Sequence, residues 1–207
     1  MNQLLKQVLL VCVCLFALTG QAMADSLSDA KHAYDAGDYE KAAKLYSPLA
    51  KNGNAEAQSY LGWMYTIGHG VSQDSKEAMK WYRLAAEQGV ADAQFNVGVG
   101  YDKGDGVPQD NKEAVKWYRL AAEQGVAAAQ FNLGLGYEEG KGVPQDYVLA
   151  YMWVNIATAN KDSIEGQKYY IKLRDFIAGL MTAKQIAEAQ ELARRCTTNK
   201  FKGCQRE

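Results

Sequence analysis

A pattern of 36 residues recurs without a gap through the middle of this chain, and a sequence so arranged folds as a stack of like units. Ala55–Val90 and Ala91–Val126 are identical at 24 of 36 positions. Residues 127–162 keep the frame, with Ala-x-Ala-Gln, Gly134, Tyr137, Gly140-x-Gly142-Val143 and Gln145-Asp146 in register. Asp38–Asn54 matches the second half of the unit, after a shortened first half. A unit of this length cannot bury its apolar surface alone, so neighbours must share it.

Each unit reads as two helices. In the first, Gln58, Gly62 and Tyr65 fall on one face at a spacing near 3.6. Gly68-x-Gly70, Gly104-x-Gly106 and Gly140-x-Gly142 then break the chain, and Val71, Val107 and Val143 plug the gap. Asp74 and Asp110 are N-caps for the second helix, with Glu77 and Glu113 placed for a capping box. The second helix turns Ala78, Trp81, Tyr82 and Ala85 inward, as Ala114, Trp117, Tyr118 and Ala121 do one unit later; Trp153 continues the tryptophan series. A glycine inside the first helix costs about 1 kcal/mol against alanine. Its recurrence at Gly62, Gly98 and Gly134 implies that a bulky ring from the next helix needs the space. The expected fold is therefore all-α, a solenoid of about ten helices. It would comprise an N-terminal partial repeat (25–54), three repeats (55–90, 91–126 and 127–162) and a C-terminal cap (163–207). Ser163–Gly179 and Ala183–Arg195 read as the cap helices, the second opened by a capping box at Thr182 and Gln185.

The ends speak to location. Lys6, an apolar run from Val8 to Leu18 and Ala22-Met23-Ala24 have the order of a secretory signal peptide over residues 1–24. Cleavage is expected after Ala24, and the destination is the periplasm or the medium. Cys12 and Cys14 would leave with that segment. Cys196 and Cys204 would remain as an even pair that an oxidising compartment closes into a disulfide; the other reading, a metal site, has no histidine nearby. A formal charge of −1 without a basic stripe argues against nucleic acid, and no second long apolar stretch suggests membrane insertion after cleavage. His32 and His69 have no partner at ligand spacing, so no metal or cofactor is expected, and His69 reads as a solvated loop residue.

Ala91-Asp-Ala-Gln94, Gly98, Tyr101, Gly104-Asp-Gly-Val107, Asp110 and Glu113-Ala-Val-Lys-Trp-Tyr118 together resemble the Sel-one-like repeat family, a relative of the tetratricopeptide repeat. The resemblance covers Leu27 to Arg195. It implies right-handed superhelices of α/α hairpins that serve as adaptors in signalling, secretion and envelope assembly. The implied function is an exported protein-binding scaffold or regulator of an envelope process, not an enzyme. In tetratricopeptide-like folds the first helices line the concave groove. Carried over, this puts Tyr60, Trp63 and Ile67 in the groove, followed by Asn96, Val99 and Lys103, then Asn132, Leu135 and Glu139. The asparagines suit the backbone of an extended peptide, and Tyr60 and Trp63 suit a binding hot spot. Two plainer readings stand beside this: the asparagines could bond a neighbouring repeat, and Trp63 could pack on the N-terminal cap.

Some cysteine-rich exported relatives are linked to β-lactam hydrolysis, which makes a hydrolase of β-lactam or cell-wall substrates the alternative. Ser28-Asp-Ala-Lys31 matches the serine β-lactamase nucleophile pattern, but neither Ser-Asp-Asn nor Lys-Thr-Gly accompanies it. No catalytic residue is assigned.

Overall fold

The computed structural model describes residues 26–159, 164–201 and 203–204. The expected signal peptide and cleavage site, and the junction of the third repeat with the cap at 160–163, lie outside them. Among the described residues there are ten helices and the chain is an all-α repeat solenoid. It divides into two compact units, one up to Trp81 and one from Tyr82.

The first unit contains α1 (26–35), α2 (Tyr39–Lys51), α3 (Ala55–Ile67) and the start of α4 (Ser75–Glu87). Helix α2 packs on α3. Tyr46, Leu61, Met64 and the alanines of α1 and α2 form the core, with Trp81 and Val71 against it. The second unit takes the rest of α4 and then α5 (Ala91–Lys103), α6 (Asn111–Ala122), α7 (Ala127–Glu139), α8 (Tyr147–Thr158), α9 (Ile164–Gly179) and α10 (Ala183–Thr198). From α5 to α9 each helix packs on the next, and α10 returns onto α8. Helix α8 is thereby covered on several sides. Trp153, Met152 and Val154 are wholly buried in it, each stabilising the fold by about 1.5–3 kcal/mol.

Hydrogen bonds explain why particular polar residues recur. Gln58, Gln94 and Gln130 are buried. Each donates its side-chain amide to the carbonyl eight residues earlier, at Ala50 (3.0 Å), Ala86 (3.1 Å) and Ala122 (3.1 Å). The start of each first helix is so tied to the end of the helix before it. The Gln-Asp pair closes the loop inside each unit. Gln73, Gln109 and Gln145 donate to the carbonyls of Thr66, Asp102 and Glu138. The amides of Asp74, Asp110 and Asp146 donate to Tyr65, Tyr101 and Tyr137.

The two glycines of Gly-x-Gly have different duties. Gly140 closes α7 in the left-handed conformation (φ +69°) with no atom nearer than 3.4 Å to a Cβ placed on it. Gly142, at φ +73°, passes so close to the first turn of α6 that a Cβ would lie 2.1 Å from the Asn111 carbonyl oxygen. Gly70 approaches the Tyr39 carbonyl in the same way, at 2.0 Å. The loop of one repeat thus rests on the helix start of the repeat before it. At Gly98 the neighbour is a ring, with Tyr118 carbons 2.6 Å from a Cβ position; at Gly134 it is Val154, at 2.5 Å.

Some expectations need correcting. Only Trp153 of the recurring tryptophans is wholly buried, while Trp81 and Trp117 are half-buried; Tyr82 and Tyr118 supply the recurring buried ring. The caps of α4 and α6 are half capping boxes. Asp74 and Asp110 accept two backbone amides each, but Glu77 and Glu113 pair forward with Lys80 and Lys116. A reciprocal box exists at Thr182 and Gln185. Cys196 and Cys204 are joined as a disulfide, Cα to Cα 5.0 Å, and both are buried.

The glycine loop yields a controlled comparison. Gly140→Ala and Gly142→Ala share the left-handed strain of about 1 kcal/mol. Gly142→Ala also collides with backbone and should be about 2 kcal/mol less stable than Gly140→Ala. Urea denaturation of the two variants measures the difference.

Candidate functional site

Side chains of the expected binding stripe lie in both units, and each unit is described separately. On α3 of the first unit, Trp63 is 43% exposed and its indole N–H donates to the Tyr34 hydroxyl at 2.8 Å. Tyr60 and Ile67 are half-buried. Tyr60 stacks on the buried Tyr46, ring centroids 4.9 Å apart. The Tyr34 hydroxyl also lies 3.5 Å from Nδ1 of His69, and His69 stacks on Tyr39 at 3.8 Å. The solvated loop histidine expected from sequence is instead part of an aromatic cluster running from α1 and α2 to the loop after α3. A Trp with its polar edge fixed and its face exposed offers contact area at little entropic cost. A wider open cleft of about 1060 Å³ lies between α2, α3 and the 68–72 loop, and it includes none of the stripe residues.

In the second unit, Lys103 and Glu139 are exposed, and Asn96, Val99, Asn132 and Leu135 are half-buried. Of these, Asn132, Leu135 and Glu139 converge on a cavity of about 100 Å³ between α5, α6 and α7. Asp102, Asn111, Tyr118 and Lys141 also line it. Sequence reasoning did not single these four out as binding residues. The Tyr118 hydroxyl donates to Asp102 Oδ2 at 3.4 Å and is also hydrogen-bonded by Asn132. Asn132 therefore does bond the preceding repeat, as the plainer reading held. Burial first, and then the Asp102 carboxylate, push the Tyr118 phenol well above the usual tyrosine range. Lys141 pairs with Glu139 at 2.5 Å, which raises its pKa, and Asp102 and Glu138 add to the rise. The cavity rim is thus net acidic.

Asn111 and Tyr39 could have been found by extending the search for non-recurring positions to the second helices. Both occupy the first position after the N-cap, where Ser75 and Tyr147 stand in the other repeats.

The hydrolase alternative meets a charge problem. Lys31 pairs with Glu56 at 2.5 Å, and the hydrogen bond and charge of Glu56 raise its pKa. A lysine acting as base needs the opposite shift. Among the described residues no His, Cys, Asp and Glu group could hold a metal ion, and no helix is long and apolar enough to cross a membrane.

A family model described as Sel1 repeat matches residues 34–54, 55–90, 91–126 and 127–162. The crystal structure of a Sel1 repeat protein from Oxalobacter formigenes is similar at 30% identity and a TM-score of 0.63, over 84% of this chain and 77% of that one. The protective antigen c5321, present in uropathogenic Escherichia coli strains and displaying an SLR fold, is similar at 30% identity and a TM-score of 0.58. That match covers 79% of this chain and 42% of the antigen. None of the curated proteins matches.

The buried tyrosines carry a pH signature. Burial raises the phenols of Tyr46 and Tyr118 in the folded protein, while an unfolded tyrosine ionises near pH 10. Above about pH 10 the unfolded chain releases protons that the folded chain retains, so stability falls as pH rises. Melting temperatures measured between neutral pH and strongly alkaline pH should show this loss, and Tyr118→Phe should make the slope shallower.

Proposed function

The chain belongs to the Sel1 repeat family, and from that premise we propose that it is an exported scaffold which holds a protein or peptide partner against the non-recurring side chains of its first helices. The observation that carries this reading is Trp63. The recurring residues of α3 face inward and are hydrogen-bonded or packed. Trp63, which no other repeat has, leaves 43% of its surface exposed while Tyr34 fixes its N–H. A large ring held ready at a surface is the usual anchor of a protein interface. Asn96, a polar member of the stripe, adds donors and acceptors suited to a peptide backbone.

An envelope process is the setting that fits residues 1–24, whose order is that of an export signal. A protective antigen among its relatives supports the same setting. The disulfide between Cys196 and Cys204 agrees with an oxidising compartment. Repeat scaffolds of this kind act by presenting surface, and their chemistry is recognition.

The reading is tested by photocrosslinking in the native cell. A benzophenone amino acid placed at Trp63 or Val99 should yield discrete adducts with another protein. The same group at Glu87, exposed at the end of α4, should yield none above background. Equal adducts at all three positions, or adducts from Glu87 alone, would contradict it.

A further inference from the structure

Resting on the scaffold reading above, the geometry points to the cavity between α5, α6 and α7 as a receptor for a primary ammonium on an unbranched alkyl stem, that is, for a lysine side chain of the partner.

Tyr39, Tyr46, Tyr60, Met64 and His69 of the first unit correspond, position by position, to Asn111, Tyr118, Asn132, Gly136 and Lys141 of the second. In the first unit these positions are filled by rings: Tyr39 on His69 at 3.8 Å and Tyr46 on Tyr60 at 4.9 Å, with Met64 wholly buried beside them. In the second unit every one of these residues except the Tyr118 equivalent has changed to one smaller or more polar. The result is an open cavity of about 100 Å³ at the same place in the fold. Gly136 is central to this. A Cβ there would have only ordinary contacts, 3.4 Å to the Lys141 carbonyl oxygen and to Val115. Packing does not demand this glycine as it demands Gly98 and Gly134.

The chemistry of the walls selects the guest. Leu135, Val115 and Ala114 provide apolar lining for a methylene stem. The polar end is built of acceptors. Asn111 Oδ1 is buried with no hydrogen-bond partner among the described residues. Among the described residues, Asp102 receives a long bond from Tyr118 on its carboxylate, at 3.4 Å. A buried acceptor left without a donor costs about 1–3 kcal/mol, which a donating guest would recover. Lys141 does not serve as that donor, because its side chain is 60% exposed and its ammonium is paired with Glu139. Around it stand Asp102, Glu138 and Glu139. Of the residues that line the cavity, Asp102 and Glu139 stand against Lys141 alone, a net negative charge that repels an acidic guest and attracts a cationic one. An ammonium is compact and carries three donors on a flexible stem, which suits a narrow cavity with acceptors at its end.

The test is nitrogen–proton correlation NMR on the full chain with Nα-acetyl-lysine methylamide as probe. It should shift the Asn111 and Gly136 resonances in a saturable way in the millimolar range, as a single side chain contact implies. Nα-acetyl-norleucine methylamide, which lacks the charge, should bind at least about tenfold more weakly. Alanine methylamide, an ammonium without the stem, should do the same. Asp102→Asn should weaken the lysine probe about tenfold, and Gly136→Met, which places the first unit's side chain in the cavity, should abolish its effect. Equal shifts from norleucine, equal shifts from the alanine amine, or no shift from lysine would each overturn the proposal. Should Gly136→Met fail to fold, Asp102→Asn still decides the matter. Adducts retained at Trp63 with no lysine response would remove the cavity assignment and leave the scaffold standing. A lysine response without adducts would do the reverse.

Discussion

The structure depends on a buried amide that must find an acceptor. Gln58, Gln94 and Gln130 sit where water cannot reach them, so each must bond within the protein or destabilise the fold. Each is satisfied by a carbonyl at the end of the preceding helix, which also accepts the backbone amide of Gly53, Gly89 or Gly125. The bond ties the two helices together. It also fixes how one hairpin departs from the last, because the amide reaches that carbonyl in only one arrangement of the two helices. Gln124 extends the link by donating to Gln94 Oε1 and to the Gly89 carbonyl.

With that junction fixed, the remaining recurrent residues follow. The Gly-x-Gly loop descends onto the helix start of the preceding repeat, and its second glycine is there because backbone meets backbone. Gly98 faces the Tyr118 ring, and Gly134 faces Val154, so the exchange of a ring for a valine keeps the contact while the helix turns toward the cap. What recurs is committed to holding one repeat on the next. What does not recur is free to differ, and the two units use that freedom in opposite ways. The first gathers aromatic rings at the surface around Trp63. The second replaces them by amides, a glycine and a lysine.

Much of this was legible in the sequence because a repeat provides its own internal comparison. The boundaries of the helices, the ring over Gly98 and the packing of Val71 and Val143 follow from periodicity and from the few jobs glycine can do. Four features were not legible. Recurrence of tryptophan suggested burial, but recurrence marks a shared environment and not its depth; Trp81 and Trp117 keep an edge in solvent. Glu77 and Glu113 had the spacing of a capping box, yet a lysine one turn on competes for the carboxylate and wins. His69 looked solvated because its counterparts are Asp105 and Lys141. Its stacking on Tyr39 joins residues 30 positions apart in different repeats, which no local pattern reports. Asn111 and Asp102 escaped for a similar reason, since a cavity is a property of three helices at once.

The central claim is a division of labour within a single helix, and α5 holds both kinds of residue two positions apart. Gln94 recurs in all three repeats and is buried; Asn96 gives way to Tyr60 at the same place in the first repeat and is half-buried. Thermal denaturation of Gln94→Leu and Asn96→Leu separates them most directly. Loss of the amide at Gln94 should cost about 1–3 kcal/mol and lower the midpoint by several degrees. Asn96→Leu should leave the midpoint within about a degree of the parent, as surface changes do. Equal losses in the two variants, or a larger loss at Asn96, would contradict the account.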